Sequence, residues 1–307
     1  VNNLQTIGYG NAMSFSDGWR PERYCIYDEN NQAIAIFQAL FKGIQGIGYV
    51  VRINRGPLLI GSWNSYTRSL LSCKCIAYLK NILRTRGCHY LRIAPELIQS
   101  ATHVTYMSSL GYNKLSHPLK YNYTSGLIDL SNDEDSLFLG LKAKWRNMLR
   151  KSQKQGLTHT IAPVNHSSID SLIYNYRIHQ NKRQYSGIPE NFLLALNYHQ
   201  SKDFSLFLFN AFIPSDSGER MQYVGQIVAT ITGNTSMYLI GSMTEKGRLV
   251  QANTYLLWHV ILHAKLQGCD WFDVGGLGDG NAANAASFKR GLNSIEYTLV
   301  GEWSTII

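Results

Sequence analysis

Residues 258–303 read WHVILHAKLQGCDWFDVGGLGDGNAANAASFKRGLNSIEYTLVGEW, and this stretch decides the fold class. Its first part predicts a helix that ends at Gly268, because glycine commonly follows the last turn of a helix. The apolar face of that helix is formed by Leu257, Ile261 and Ala264. A short strand is predicted next, over residues 270–274. A helix that leads through a glycine into a strand is typical of an α/β fold.

A glycine-rich loop follows this strand and leads to two adjacent cations, Lys289 and Arg290. Residues 275–280 contain four glycines, which would let backbone amides approach an anionic ligand closely. The cations precede a β-like run over residues 296–300. This order indicates a binding site, and a solvated surface turn with two exposed bases is the alternative.

The same stretch resembles the C-terminal end of the Fem family. The resemblance rests on the pattern A-x-x-x-G-C-x-x-F-D-x-G-G, on F-K-R-G at 288–291 and on a closing strand that ends in E-W at 302–303. Fem proteins are bacterial peptidyltransferases that use aminoacyl-tRNA to add amino acids to peptidoglycan precursors. They are built from two acetyltransferase-like (GNAT) domains. The resemblance therefore implies an α/β (α+β) fold of two tandem GNAT-like domains with a cleft between them.

Other matching segments occur in family order. The polar opening segment, residues 4–19, resembles the family's L-Q…W-G…G-W, with Tyr9 where a Trp is usual and Trp19 at its end. Met13 stands where family members carry a substrate-contacting Lys. Residues 128–156 resemble the family's link into its second domain. These matches imply a first domain over residues 1–130 and a second over residues 131–307 that includes the C-terminal strands.

An internal repeat supports two copies of one α/β unit. Residues 83–93 and 264–274 each contain a helix end, a Gly-Cys pair and a strand. Chance similarity of two helix-to-strand junctions is the alternative. Helical periodicity also predicts helices over 66–86 and 168–182. Strands are predicted over 23–27, 33–37, 49–53, 88–93, 204–212, 222–231 and 235–243.

A basic helix is predicted between the two copies. Ser131 and Glu134 form a capping-box pattern at its start. Basic residues then recur every four positions, although like charges at this spacing repel each other. The stripe consists of Lys142, Arg146, Arg150 and Lys154. We expect Arg146, Arg150 and Lys154 to contact phosphate of the donor, and a solvated basic face is the alternative.

The remaining site residues follow from the resemblance. It implies that Lys289 is catalytic and supplies positive charge to the oxyanion of an aminoacyl transfer. If a protein base is needed, Asp273 and Asp279 are the nearest candidates, and a structural carboxylate is the preferred reading of Asp273. The resemblance further implies that Arg183 binds the pyrophosphate of a nucleotide-sugar acceptor. The expected substrate-binding residues are Arg183, Tyr255, Phe288, Arg290, Asn253 and Trp19.

Composition limits the class of protein. Hydrophobic residues make up 45% and charged residues 16% of 307 positions, as in a globular protein, and the net charge of +9 favours polyanionic partners. No run approaches the ~18 apolar residues of a membrane helix. The N-terminus shows no signal-peptide pattern, so we expect a cytoplasmic protein without stable membrane insertion. Neither the scattered cysteines nor the pair His259 and His263 matches a common zinc pattern, so no metal is expected.

The predicted function is transfer of an amino acid from aminoacyl-tRNA to the amine of a peptidoglycan precursor peptide, with no cofactor. The expected partners are the charged tRNA and a nucleotide-sugar or lipid-linked precursor, and the expected state is a monomer. An acyl-CoA-dependent N-acyltransferase acting on an amino sugar of a surface polysaccharide precursor is the alternative. A non-catalytic RNA-binding module is a third hypothesis, which would leave the F-K-R loop without a purpose.

Overall fold

The protein is represented by a computed structural model, which describes residues 2–115, 123–185, 187–215, 219–278 and 283–307. The chain divides into two compact units. Unit 1 consists of Val1–Thr124 together with Tyr297–Ile307, and unit 2 consists of Ser125–Glu296. In the part of the chain that the structure describes, no helix is long and apolar enough to cross a membrane.

The helices and strands follow one another in a mixed order. The described helices are α1 (Ile7–Asp17), α2 (Ser65–Arg84), α3 (Ala101–Ser109), α4 (Glu134–Gly140), α5 (Ala143–Gln153), α6 (His166–Arg183), α7 (Glu190–Tyr198), α8 (Glu245–Leu249), α9 (Ala252–Leu266) and α10 (Ala283–Arg290). The described strands are β1 (Arg20–Tyr27), β2 (Ala33–Ile44), β3 (Gly48–Asn54), β4 (Leu58–Leu59), β5 (Cys88–Ala94), β6 (Asn113–Lys114), β7 (Thr124–Asp129), β8 (Thr158–Pro163), β9 (Phe204–Pro214), β10 (Met221–Thr232), β11 (Thr235–Met243), β12 (Trp271–Asp273), β13 (Ile295–Thr298) and β14 (Trp303–Ile306).

Unit 1 is built on a mixed sheet whose described strands run in the order β1-β2-β3-β5-β14-β6, with β4 paired to β2. Strand β3 lies parallel to β5, and α2 connects the two regions of the chain. Alternate residues of β2, such as Phe37 and Phe41, are buried in one core with Ile76 and Leu79 of α2. The intervening residues Gln38 and Leu40 on the opposite face are also buried, at 2% exposure each, so both faces of this part of β2 are covered.

The opening segment contains a helix that the sequence analysis did not predict. Helix α1 begins after Thr6, whose side chain accepts a hydrogen bond from the amide of Tyr9. It ends at Gly18, which adopts the left-handed conformation with φ +69°. Both ends therefore carry standard helix signals, but the glycines and polar residues between them weaken the helical pattern. The prediction of a merely polar segment was wrong for residues 7–17.

The C-terminal strand belongs to unit 1, which differs from the predicted domain division. In β14, Trp303 lies opposite Ile93 of β5 and Lys114 of β6. The indole of Trp303 is 1% exposed, so this strand completes the core of unit 1. The division predicted at residue 130 falls six residues after the boundary at Thr124. The pairing of β14 with β5 and β6 joins distant parts of the chain, so local sequence patterns could not predict it.

Unit 2 repeats the same plan. Its described strands run in the order β13-β7-β12-β11-β10-β9-β8, and β11 lies parallel to β12 after the crossover through α9. The predicted Gly-Cys repeat is present at both crossovers, where Gly87 and Gly268 adopt positive φ values of +75° and +77°. Helices α5 and α9 pack over one face of this sheet around Trp145, which is 2% exposed.

The basic helix is divided in two and starts later than predicted. Asp133, not Ser131, caps α4, because its side chain accepts a hydrogen bond from the amide of Ser136. Helix α4 ends before Leu141, where the backbone becomes extended, and α5 begins after Lys142. Only part of the predicted stripe is therefore helical.

Candidate active site around Lys289

The candidate site lies where two parallel strands of unit 2 separate. Met237 of β11 is the register partner of Asp273, the last residue of β12. Strand β11 continues to Met243, so an opening follows the end of β12. Gly275 turns the chain there with φ +72°. A Cβ atom on Gly275 would lie 3.3 Å from Nζ of Lys289, which shows that the ammonium group lies in this opening.

Tyr238 presents its ring to Lys289. The Nζ atom lies 4.3 Å from the centroid of this ring, within the range of a cation–π interaction. Tyr238 lies next to a β-bulge, because Ala229 pairs with Tyr238 whereas Val228 pairs with Ile240. Bulges re-aim neighbouring side chains, which gives a physical reason for the position of this ring.

Asp273 is a buried carboxylate at the same strand end. Its side chain is held by two donors, since the Ser125 hydroxyl and the backbone amide of Gly275 both donate hydrogen bonds to Oδ1, the latter over 2.8 Å. The residue is 6% exposed. A buried carboxylate requires such donors, because its desolvation is otherwise costly. The preferred reading of Asp273 as structural therefore has a basis in these contacts.

Lys289 is the most unusual ionisable group of this site. It is 9% exposed, and burial lowers its pKa from 10.5 to about 8, while the charge of Asp273 acts in the opposite direction. Lysine is rarely buried to this extent without a function or a partner. A buried cation in a low-dielectric site can stabilise developing negative charge strongly.

The two neighbours of Lys289 hold α10 in place. Phe288 packs on Trp145 of α5 with ring centroids 5.7 Å apart. Arg290 donates a hydrogen bond of 2.7 Å to the carbonyl of Leu277 and forms an ion pair with Glu296. These contacts anchor the helix that carries Lys289, so they explain both side chains without a substrate. Their predicted substrate-binding roles stay predictions.

Arg183 lies at the exposed C-terminal end of α6. The pKa of nearby His179 is lowered by burial and then by the charges of Arg183 and Arg248. Burial raises the pKa of Tyr185, with a further contribution from Tyr238, the ring that Lys289 contacts. Tyr185, two residues after Arg183, is thus within electrostatic range of Tyr238, and the role of Arg183 stays a prediction.

Tyr255 lies elsewhere in unit 2. Its hydroxyl shares a hydrogen bond of 2.9 Å with Nδ1 of His159 on β8, and its ring contacts His259. Four strand spacings separate β8 from β12, which corresponds to roughly 19 Å. Asn253 lies half-buried in the first turn of the same helix, α9. The structure therefore does not bring the Tyr255 hydroxyl and Lys289 together.

The predicted phosphate-binding residues have different surroundings. Arg146 donates hydrogen bonds to the carbonyls of Leu139, over 2.8 Å, and Leu141, so it caps the C-terminal end of α4. The guanidinium group of Arg150 lies 5.0 Å from the ring centroid of Phe138. Lys154 is exposed at the end of α5. Arg146 thus has a structural task, while the charges of Arg150 and Lys154 remain accessible.

One predicted residue belongs to the other unit. Trp19 belongs to unit 1, where Nζ of Lys42 lies 5.5 Å from its ring centroid. Asp279 lies outside the described residues.

Sequence reasoning missed Tyr238 and Ser125, the two partners that strand pairing brings to the site. Tyr238 is one of 19 tyrosines and lies in an apolar strand, so no local pattern distinguishes it. Ser125 lies 148 positions before its partner Asp273. The run Asp-Val-Gly-Gly after β12 was the one available signal for the carboxylate.

Comparisons with known proteins agree with this architecture. Residues 141–290 match the family model described as the acetyltransferase (GNAT) domain. The crystal structure of FemX is similar over 100% of this chain and 92% of its own, with a TM-score of 0.81 and 13% identity. A tandem GNAT protein from the clavulanic acid biosynthesis pathway is similar over 94% of this chain and 84% of its own, with a TM-score of 0.54 and 10% identity. A comparison with curated proteins gave no match.

The match of residues 141–290 to an acetyltransferase (GNAT) domain and the repeated plan of the two units indicate a transferase built from two GNAT-like units. The fold of the whole chain is similar to that of FemX. The predicted fold of two tandem GNAT-like domains is confirmed.

Proposed function

We propose that the protein transfers an amino acid from aminoacyl-tRNA to the amine of a peptidoglycan precursor peptide. The observation that carries the proposal is the buried, cationic Lys289 at the strand opening of unit 2. The fold shared with FemX over the whole chain supports the choice of this reaction among acyl transfers. Both substrates are cytoplasmic molecules, and the proposal places the protein there.

Lys289 would act on the carbonyl oxygen of the aminoacyl ester. The acceptor amine attacks the ester carbon, an amide C–N bond forms, and the C–O bond to the tRNA ribose breaks. Negative charge develops on the carbonyl oxygen, and a protonated Lys289 stabilises this charge. The attacking amine gives its proton to the leaving ribose oxygen, through water or a substrate group. The protein then mainly supplies position and charge.

The two substrates would use different basic residues. A nucleotide-linked acceptor carries a pyrophosphate, for which Arg183 offers an exposed guanidinium group at the end of α6. The tRNA would be held by exposed cations of α5, among them Arg150, Lys151 and Lys154. Arg146 is assigned to the cap of α4 instead.

The proposal is tested by a donor screen. The protein is incubated with UDP-linked muramyl pentapeptide or with amino-sugar nucleotides, and either charged tRNA or acyl-CoA is offered. A mass gain of the peptide that requires charged tRNA is the expected result, and the size of the gain identifies the amino acid. A gain that requires acyl-CoA would replace the donor and support the alternative N-acyltransferase, which agrees with the acetyltransferase description of the matched domain.

Two variants connect the screen to the site. Lys289→Met is expected to abolish transfer, because the aliphatic chain remains but the charge is lost. Lys202→Met removes an exposed lysine between α7 and β9 and serves as the control, with transfer reduced by less than about twofold. Equal loss in both variants, or full activity in Lys289→Met, would contradict the role of Lys289.

A further inference from the structure

We propose that Asp273 is a positioning residue for the reaction, which keeps Lys289 charged inside unit 2. This inference rests on the proposed function of Lys289. It goes beyond that function because it assigns a task to a carboxylate that the sequence presents as a strand-end structural group.

The geometry around Gly275 carries the inference. The Gly275 amide donates a hydrogen bond of 2.8 Å to Oδ1 of Asp273, and the Cα hydrogens of the same glycine face Nζ of Lys289. One residue thus separates the carboxylate from the ammonium group. Both groups are at least nine-tenths buried, at 6% and 9% exposure. Water therefore screens their attraction weakly, and the negative charge of Asp273 favours the charged form of Lys289.

The hydroxyl of Ser125 holds the carboxylate in place. It donates a hydrogen bond to Oδ1, the oxygen that the Gly275 amide also contacts. Among the described residues, Asp273 and the ring of Tyr238 are the titratable groups that the structure places against Lys289. The phenol of Tyr238 is neutral, because burial raises its pKa.

Asp273→Asn tests the charge without removing the hydrogen bonds. The Asn carbonyl oxygen accepts from the same two donors, so the substitution deletes the negative charge at nearly constant shape. Asp270→Asn is the matched control, since Asp270 precedes the same strand, is exposed and contacts Asn234. Both variants make the same Asp→Asn change, and they differ in whether the lost charge lies near Lys289.

The expected result is a transfer defect that depends on pH. Loss of one opposite charge lowers a neighbouring lysine pKa by roughly one unit or more. From a starting pKa of about 8, a one-unit fall lowers the rate about threefold at pH 7.5 and about tenfold at pH 9, with less than about 1.5-fold change at pH 6.5. Asp270→Asn leaves the pH profile unchanged. A defect of equal size at all three pH values would overturn the proposal. Such a pH-independent defect is what a structural or general-base role of Asp273 predicts.

A direct titration separates this inference from the proposed function. The ¹³Cε resonance of Lys289 is assigned by its absence in Lys289→Arg and followed against pH in the wild type and in both Asn variants. A lower Lys289 midpoint in Asp273→Asn, but not in Asp270→Asn, supports the charge coupling. If the midpoint falls but no amino acid or acyl group is transferred from any donor, the proposed function fails while this inference stands. An unchanged midpoint overturns the inference whatever the activity.

Ser125→Ala provides a second route if Asp273→Asn does not fold. Removal of the hydroxyl donor leaves the charge of Asp273 but takes away one of the two hydrogen bonds that fix its position next to Lys289. The midpoint of Lys289 is expected to move in the same direction by a smaller amount. No movement in Ser125→Ala would overturn the positioning role of the hydroxyl and, with it, the chain of contacts proposed here.

Discussion

Lys289→Met is expected to stabilise the protein while it removes activity. In the wild type, Lys289 is 9% exposed and must carry its charge into the interior of unit 2. Methionine has a similar length, fills the same space and needs no partner. The substitution therefore removes a desolvated charge without opening a cavity. Replacement of buried charges by apolar residues of similar volume is often stabilising.

The size of the effect follows from the pKa of Lys289. Its fall from 10.5 in the unfolded chain to about 8 in the folded protein corresponds to about 3 kcal/mol at 1.36 kcal/mol per unit. The folded protein binds fewer protons than the unfolded chain between pH 8 and pH 10.5. Wild-type stability therefore rises with pH in this window, relative to the variant. Below pH 8 the unfolding free energy of the variant exceeds that of the wild type by the full amount of about 3 kcal/mol. This difference disappears by about pH 10.5.

The assay is urea unfolding at several pH values between 6.5 and 10.5, followed by tryptophan fluorescence and far-ultraviolet circular dichroism. Lys144→Met is the control, because this exposed lysine should change the unfolding free energy by less than about 0.5 kcal/mol at any pH. A Lys289→Met protein that is less stable than the wild type, or an advantage that does not change with pH, would refute the reasoning. Either result would mean that Lys289 is not a desolvated cation.

Three further predictions concern unit 2. The pKa of His259 is lowered to about 4 by burial and by neighbouring His159, so folding stability should fall as pH drops from 6.5 towards 4. In urea unfolding at pH 4.5, the unfolding free energy of His259→Phe should therefore be about 2 kcal/mol higher than that of the wild type. Trp145→Ala should lower the unfolding free energy by about 3–5 kcal/mol, measured by thermal melting, because the fully buried indole supports α5 and α10. The double variant Lys144→Glu and Lys151→Glu should weaken tRNA binding and reduce its logarithmic salt slope by about one to two, measured by filter binding.

Each of these predictions has an outcome that contradicts it. An equal loss of stability towards low pH in His259→Phe and wild type would exclude His259 as the titrating group. Trp63 is 39% exposed, and an effect of Trp63→Ala as large as that of Trp145→Ala would show that burial does not decide the loss. An unchanged salt slope of tRNA binding in the double variant would show that α5 does not contact the tRNA.

Helix α10 and the loop before it show what local sequence can predict. The order of glycine loop and adjacent cations identified the segment of Lys289 from residues close together in sequence. The repeated junctions at Gly87 and Gly268 predicted two related units, because a helix end, a turn and a strand are local features. The same logic placed Phe288 and Arg290 next to the site but assigned them to substrate, whereas their observed contacts anchor α10.

Features that depend on distant contacts were beyond the sequence. Tyr238 reaches Lys289 because a bulge in β11 shifts the register, and no sequence pattern marks this bulge. Tyr255 illustrates the opposite case, since a family motif selected it and its hydroxyl contacts His159 across the sheet from the opening. The cap that Arg146 provides for α4 required a break between two helices that periodicity alone did not reveal.

The arrangement around Lys289 is better explained by chemistry than by stability. A packing role at this position would be met by an apolar side chain, which would avoid about 3 kcal/mol of desolvation. Yet several features of unit 2 accommodate the cation: the separation of β11 from β12, the ring of Tyr238 and the missing side chain of Gly275, where a Cβ atom would lie 3.0 Å from the Tyr238 carbonyl oxygen. Asp273 adds the opposite charge at the end of β12. A buried ammonium group that the fold supports on three sides is what a reaction with a developing oxyanion requires, and its retention against stability is the physical reason to test Lys289 first.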